Sequence, residues 1–227
     1  MADWWSYSLE DFLLFSPRVY WRMFALHNEA VWPLHLAALP IGLTLVWWTA
    51  RPRPWSGRVV AVALALVWAW VAWSFLWSRY ATINWAAPWL AGGFALQALL
   101  LLGLGAFGAG MPRVVPPSVP RVIGWALLLH GLLLHPFTGM IAGHPPAAAE
   151  LFGIAPDPTA IATLGLAVLM TGGTAAWVVM VIPLGWCAVS WATLHTMGGP
   201  EGAIPATAAV LAVAGRAWPT TNARKPL

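Results

Sequence analysis

Between Arg58 and Ser78 the chain reads VVAVALALVWAWVAWSFLW, Val59 to Trp77, nineteen residues in which Ser74 is the only hydroxyl and no charge occurs. As a helix this stretch would rise about 28 Å, close to the ~30 Å hydrocarbon thickness of a bilayer. It is too long for an ordinary strand and too uniformly apolar for a surface helix, so it predicts a membrane span. Six more segments share the character: Val31–Ala50, Trp85–Phe107, Val122–Phe137, Thr159–Thr171, Ala175–Leu194 and Ala203–Ala217. The fifth of the seven, Thr159–Thr171, is short and joins the sixth through Gly172-Gly173. The last is Ala- and Val-rich, and a six-span chain ending in a surface helix is the alternative. The expected fold is therefore an all-α polytopic membrane bundle of about seven transmembrane helices. Residues 1–30 form an N-terminal amphipathic interfacial segment, 31–217 the bundle and 218–227 a cytoplasmic tail.

Composition agrees. Of 227 residues 60% are apolar and 8% charged, whereas a soluble domain carries roughly a quarter charged residues to cover its surface. Eleven Lys/Arg and seven Asp/Glu exclude a soluble globular domain, a disordered chain and a nucleic-acid binder. The lone cysteine, Cys187, excludes a disulfide framework within the chain and reads as a packed thiol in an apolar run. Met1-Ala-Asp-Trp-Trp-Ser6 lacks a basic region followed by an apolar one, so no cleaved signal peptide is expected. Arg224-Lys225-Pro226-Leu227 carries no lipidation motif.

Charge sets the orientation. Arg51, Arg53 and Arg58, then Arg113 and Arg121, then Arg216, Arg224 and Lys225 fall in alternate connections, while 138–158 and 196–202 lack Lys and Arg. Basic residues are retained on the cytoplasmic side, which predicts the N-terminus outside and the C-terminus in the cytoplasm. Ahead of the first span, Ser8 and Asp11 have capping-box spacing, and Ser16-Pro17 reads as an N-cap with Pro at the first helical position. Val19, Met23, Leu26 and Ala30 follow at helical spacing, which predicts an amphipathic helix in the outer interface. Most of the eighteen Trp fit membrane–water boundaries.

The hydrophobic segments also resemble one another. Arg58-Val-Val and Arg121-Val-Ile open spans two and four, and Trp73, His135 and Trp191 lie near the outer ends of spans two, four and six. Ala87-Pro88, Ala155-Pro156 and Ile204-Pro205 then start the following spans, 15 (88 − 73), 21 (156 − 135) and 14 (205 − 191) residues later. This pattern suggests a helix hairpin used three times in parallel, as in several transporter folds.

The same topology gathers Arg79, Asn84, His135, His144, Glu150, Asp157 and His195 at or beyond the outer ends. Ionisable groups near hydrocarbon face a cavity or a partner. Asp157, between Pro156 and Pro158, complements the positive end of a helix dipole and pairs with Arg79, with a histidine or with a bound cation; a simple helix cap is the plainer reading. The leading functional expectation is a periplasm-facing site for a small solute or ion. Arg79, Asn84, His135, Asp157 and His195 would line it, with Trp73 and Trp77 as an apolar wall; Trp70, Trp73 and Trp77 share one helical face. A metal centre for zinc or copper could draw on His135, His144, His195 and Glu150, with Met140 and Met197 adding thioethers suited to Cu(I). His130 lies five residues before His135, about 500° around a regular helix, so the two are expected on different faces. A haem would need His130 paired with a residue of another span, and His35 sits too near an outer end.

No P-loop, G-x-S-x-G or H-E-x-x-H occurs, and the only lysine, Lys225, excludes a retinal Schiff base. No catalytic residues are assigned and an enzyme is not expected. Gly103-Leu-Gly105 is read as close helix packing. The second functional expectation is a non-catalytic subunit or assembly factor of a larger membrane complex. The third is a metal- or haem-binding membrane protein. Expected partners are the lipid bilayer and either another membrane protein or further copies of the chain.

Three stretches carry a family resemblance: Phe15-Ser-Pro-Arg-Val-Tyr-Trp21, Arg79-Tyr-Ala-Thr-Ile-Asn-Trp85 and Phe152-Gly-Ile-Ala-Pro-Asp-Pro-Thr-Ala-Ile-Ala-Thr-Leu-Gly165. The chain resembles a bacterial multi-pass membrane family, a domain-of-unknown-function family with no assigned activity. The resemblance implies a bacterial inner-membrane location and supplies no site residues.

Overall fold

The computed structural model describes residues 13–106, 118–169 and 173–218. The expected capping box at Ser8–Asp11 and all but Trp218 of the tail lie outside these residues.

Helix α1 (Pro17–Val31) starts as the sequence predicts: the Ser16 hydroxyl accepts from the Val19 N–H at 3.4 Å and Pro17 takes the first turn. Its buried face differs from the expected one. Tyr20, Trp21, Met23, Phe24 and His27 are buried, whereas Val19 and Leu26 are exposed. The aromatic rings carry far more apolar area than Val or Ala and set the helix's rotation. Tyr20 and Phe24 pack edge-on to Tyr80 and tilted against Phe75, with ring centroids 6.1 and 4.8 Å apart. The expected first span is broken. Pro33, lacking an N–H and holding φ fixed, ends helical geometry, and α2 (His35–Ala50) leaves at 91° to α1.

Helix α3 (Ser56–Val71) continues through a π-turn, Ala72–Trp77. Leu64, Trp68, Val71 and Phe75 form its inward stripe. Helices α4 (Ala87–Leu100), α5 (Val119–Leu129), α6 (His135–Ile141), α7 (Pro156–Leu169), α8 (Thr174–Thr196) and α9 (Ala203–Ala217) follow, with further π-turns at Leu101–Ala106 and His130–Leu134. Short 3₁₀ turns at Tyr80–Thr82, Pro146–Ala148 and Pro200–Gly202 interrupt the connections between successive long helices. The fold is all-helical among the described residues, which hold no strand, only an isolated bridge between Phe152 and Ala155.

Among the described residues, four helical runs are long and apolar enough to cross a membrane: Ser56–Thr82, Ala87–Gly105, Val119–Ile141 and Thr174–Thr196; the bent α1–α2 pair would make a fifth. Helix α7 has only 14 residues and every one is buried. It is the axis of the bundle, packed by α5, α8 and α9. Its brevity therefore reflects an interior position. Small residues make this possible: a Cβ on Gly165 would meet the Leu128 nitrogen at 2.5 Å, and one on Gly131 the Pro158 oxygen at 2.5 Å. Close packing expected at Gly103 is absent there, since a Cβ would meet nothing within 4 Å; the backbones approach at the α5–α7 crossing instead. Buried hydrogen bonds cross-tie the bundle, among them Trp68 Nε1–H to Thr163 Oγ1 at 2.9 Å and Gln97 Nε2–H to the Val179 carbonyl at 3.0 Å. Cys187 is buried in α8.

Candidate functional site

The site begins with a proline. Pro136 offers no N–H to the Leu132 carbonyl, and its ring crowds that oxygen, so a regular α-turn cannot pass through it. The chain widens into the π-turn His130–Leu134, and the His135 N–H reaches back to the His130 carbonyl. An i to i+5 repeat places residues five apart side by side. His135 Nδ1 thus lies 3.4 Å from His130 Nε2, which corrects the expectation that these two histidines occupy different faces.

Opposite them stands the first turn of α7. Asp157 is 2% exposed, and its carboxylate is held from α8 by two residues four apart. Trp186 Nε1–H donates to Oδ1 and the Ser190 hydroxyl to Oδ2, each at 2.6 Å. Asp157 is therefore not paired with Arg79. Thr159 fixes the turn that precedes it, accepting from the Gly153 N–H at 3.0 Å and donating to the Ala155 carbonyl at 2.8 Å.

The third wall is the connection after α6. Glu150 is buried, and its Oε2 has no hydrogen-bond partner among the described residues. That oxygen is 4.0 Å from His135 Nε2, beyond hydrogen-bond range. One ligand-capable atom from each of His135, Glu150 and Asp157 lies within 4.8 Å of the other two. Burial, followed by the neighbouring charges of Asp157 and Glu201, pushes the Glu150 carboxyl well above its ordinary value.

Helix α1 holds this connection in place. Asn28 Nδ2–H donates to the carbonyls of Ala147 and Ala149 at 2.8 and 2.9 Å, and His27 Nε2 lies 3.3 Å from the Ile154 carbonyl. Trp21 stacks on His144 with ring centroids 3.8 Å apart, and His144 Nε2 meets Glu201 Oε1 at 2.8 Å. His144 thus ties α1 to the 3₁₀ turn ahead of α9.

Of the residues singled out by sequence, His135, Glu150 and Asp157 converge, and His144 belongs to the adjoining pair with Glu201. The rest lie elsewhere. His195 is exposed and stacks on Trp191. Asn84 Oδ1 accepts from the Ala86 N–H at 2.9 Å, and Asn84 lines a separate cavity of about 240 Å³ with Thr193 and Thr196. Arg79 sits in the turn after α3, where its carbonyl accepts from Thr82. Trp73 and Trp77 do not wall the site: they are 62% and 54% exposed, because Trp68, Val71 and Phe75 take the inward stripe. Trp70 borders an apolar cavity of about 350 Å³ between α2 and α3. Met140 is exposed. Sequence reasoning missed Trp186, Ser190 and Glu201, and it weighed His130 only as a haem ligand on another face. The His-x₄-His-Pro string and the i, i+4 spacing of Trp186 and Ser190 were the available signals.

The chain belongs to a family of unknown function, DUF6064, whose model matches residues 17–225. No curated protein and no solved structure matches it.

Proposed function

We propose that this DUF6064 member is a bacterial inner-membrane protein that binds and moves a small cation through a site opening to the periplasm. One observation carries the reading: His135, Glu150 and Asp157 converge within 4.8 Å in a buried setting, with the Glu150 oxygen unpartnered. Two carboxylates this close repel each other and are costly to bury without a counter-charge. A cation supplies it.

In this reading the chain crosses the membrane seven times, α7 and α9 being short crossings, with its N-terminus outside. Arg51 and Arg53, which lie over the Trp47 and Trp48 rings at 4.1 and 5.6 Å, then mark the cytoplasmic boundary. His135 and Asp157 then fall towards the opposite, outer ends of their spans and Glu150 in the outer connection between them, beside the interfacial helix α1. The repeated hairpin fits the same arrangement.

Purified protein in liposomes tests the proposal. Internal dyes for protons, sodium, potassium and divalent ions should report flux for at least one cation, and Glu150→Gln and Asp157→Asn should abolish it while remaining monodisperse. Absence of flux for every cation, or flux unchanged in both variants, would overturn the proposal.

A further inference from the structure

We infer that His135 Nε2, Glu150 and Asp157 are the ligands of a divalent first-row transition-metal ion, with His130, Trp186 and Ser190 as their positioning residues. The inference rests on the cation reading above and names the class of cation.

Distance is the first argument. The gap of 4.0 Å between His135 Nε2 and Glu150 Oε2 is too long for a hydrogen bond. Tetrahedral zinc, with bonds of about 2.0–2.2 Å, holds two of its ligand atoms about 3.3–3.6 Å apart, so the gap closes onto a shared ion with a shift of about half an ångström. Three atoms no more than 4.8 Å apart share a point no more than about 2.8 Å from each, the longest edge divided by √3. An inward shift of at most ~0.8 Å brings that point to bonding distance. Glu150 Oε2 makes no hydrogen bond, so that oxygen can move without breaking one.

The donor set is the second argument. One imidazole and two carboxylates suit zinc, manganese or iron(II), whereas calcium and magnesium take oxygen alone. Two carboxylates also neutralise a divalent charge, which removes the cost of burying them.

The outer contacts are the third. Metal-bound histidine characteristically donates its other ring N–H to a fixed acceptor, and ligating carboxylates are themselves hydrogen-bonded. Here His135 Nδ1 faces His130 Nε2 at 3.4 Å. With the proton on His135 Nδ1, its Nε2 lone pair points towards Glu150. The Asp157 oxygens accept from Trp186 and Ser190 and each retains a further lone pair. The π-turn at His130–Leu134 is what makes the His130–His135 pair possible.

Zinc titration of chelator-treated, detergent-purified protein by calorimetry, with cobalt(II) absorption as a reporter of coordination, tests the inference. The expected result is one zinc per chain, a cobalt d–d band, and loss of saturable binding in Glu150→Gln and Asp157→Asn. His195→Ala should bind as the wild type does. His130→Ala should weaken affinity about 10–100-fold and shift the cobalt band, and His130→Gln, which restores an acceptor, should recover both. The cobalt band of the unmutated protein keeps the test valid where a variant fails to fold. No saturable zinc or cobalt binding, or binding unaffected by Glu150→Gln and Asp157→Asn, overturns the metal assignment. Flux of a monovalent cation without zinc or cobalt binding overturns it too and leaves the transport reading standing. Stoichiometric zinc without flux of any cation does the reverse.

Discussion

Gly131→Ala tests the link between packing and site. A Cβ at this position would stand 2.5 Å from the Pro158 oxygen, 2.7 Å from the Ala162 nitrogen and 3.0 Å from Ala162 Cβ, whereas ordinary contact begins at 3.4 Å. The two closest obstacles are backbone and cannot rotate aside, so the π-turn must move off α7 by about 0.9 Å, the difference between 3.4 and 2.5 Å. Overpacking of this kind costs about 1–3 kcal/mol, against a gain of up to ~1 kcal/mol from replacing glycine within a helix. The steric cost wins because nothing nearby can yield. A net loss of about 1–2 kcal/mol lowers the melting temperature by about 2–8 °C for a chain of this size. The same shift pulls His135 away from Asp157, so zinc affinity should fall with stability. Gly92→Ala is the control, because a Cβ there meets nothing within 4 Å and should leave melting unchanged or raise it. Melting in detergent, followed by tryptophan fluorescence, gives the answer. If Gly131→Ala melts at or above the wild-type temperature, the close approach of the π-turn to α7 is not what holds the site.

Three further outcomes follow from single contacts. The Trp68–Thr163 hydrogen bond, buried at both ends, should give a coupling of about 0.6–1.7 kcal/mol in a double-mutant cycle of Trp68→Phe and Thr163→Val; no coupling would mean the bond is not formed. Because the Glu150 carboxyl is held above its ordinary value, the folded chain keeps a proton that the unfolded chain has released. Its stabilising effect is complete below the unfolded carboxyl's range and is lost as pH rises towards the folded value. Melting in chelator should therefore fall as pH rises through that window, and Glu150→Gln should flatten the slope. Trp73→Leu and Trp77→Leu should leave zinc and cobalt binding unchanged, since both rings face outward; a weakened titration in either would place them in the site after all.

Periodicity and hydropathy made the helices legible because each long helix reports its own length and composition. The break at Pro33 was equally visible, yet the apolar run through Val31–Ala50 hid it. Helix α7 read as a short fifth span, and hydropathy could not show that other helices enclose it on every side. His135, Glu150 and Asp157 were legible as unusual polar groups at outer ends. Their company was not, because convergence depends on rotation about each helix axis. The clearest case is His130, which regular 3.6-residue geometry sends away from His135 and which the π-turn ahead of Pro136 brings back. Trp73 and Trp77 misled for the converse reason: a stripe of aromatics marks a face without saying which way it points.

The most direct test of the outward-opening cation site is charge displacement on a solid-supported membrane. Proteoliposomes carrying the chain in one orientation would be exposed to a rapid concentration step of zinc or of each monovalent cation on the periplasmic face. A saturable inward transient is expected for at least one cation, absent in the Glu150→Gln, Asp157→Asn double variant and retained in His195→Ala. A chain that gives no transient with any cation, or the same transient when both carboxylates are removed, would contradict it.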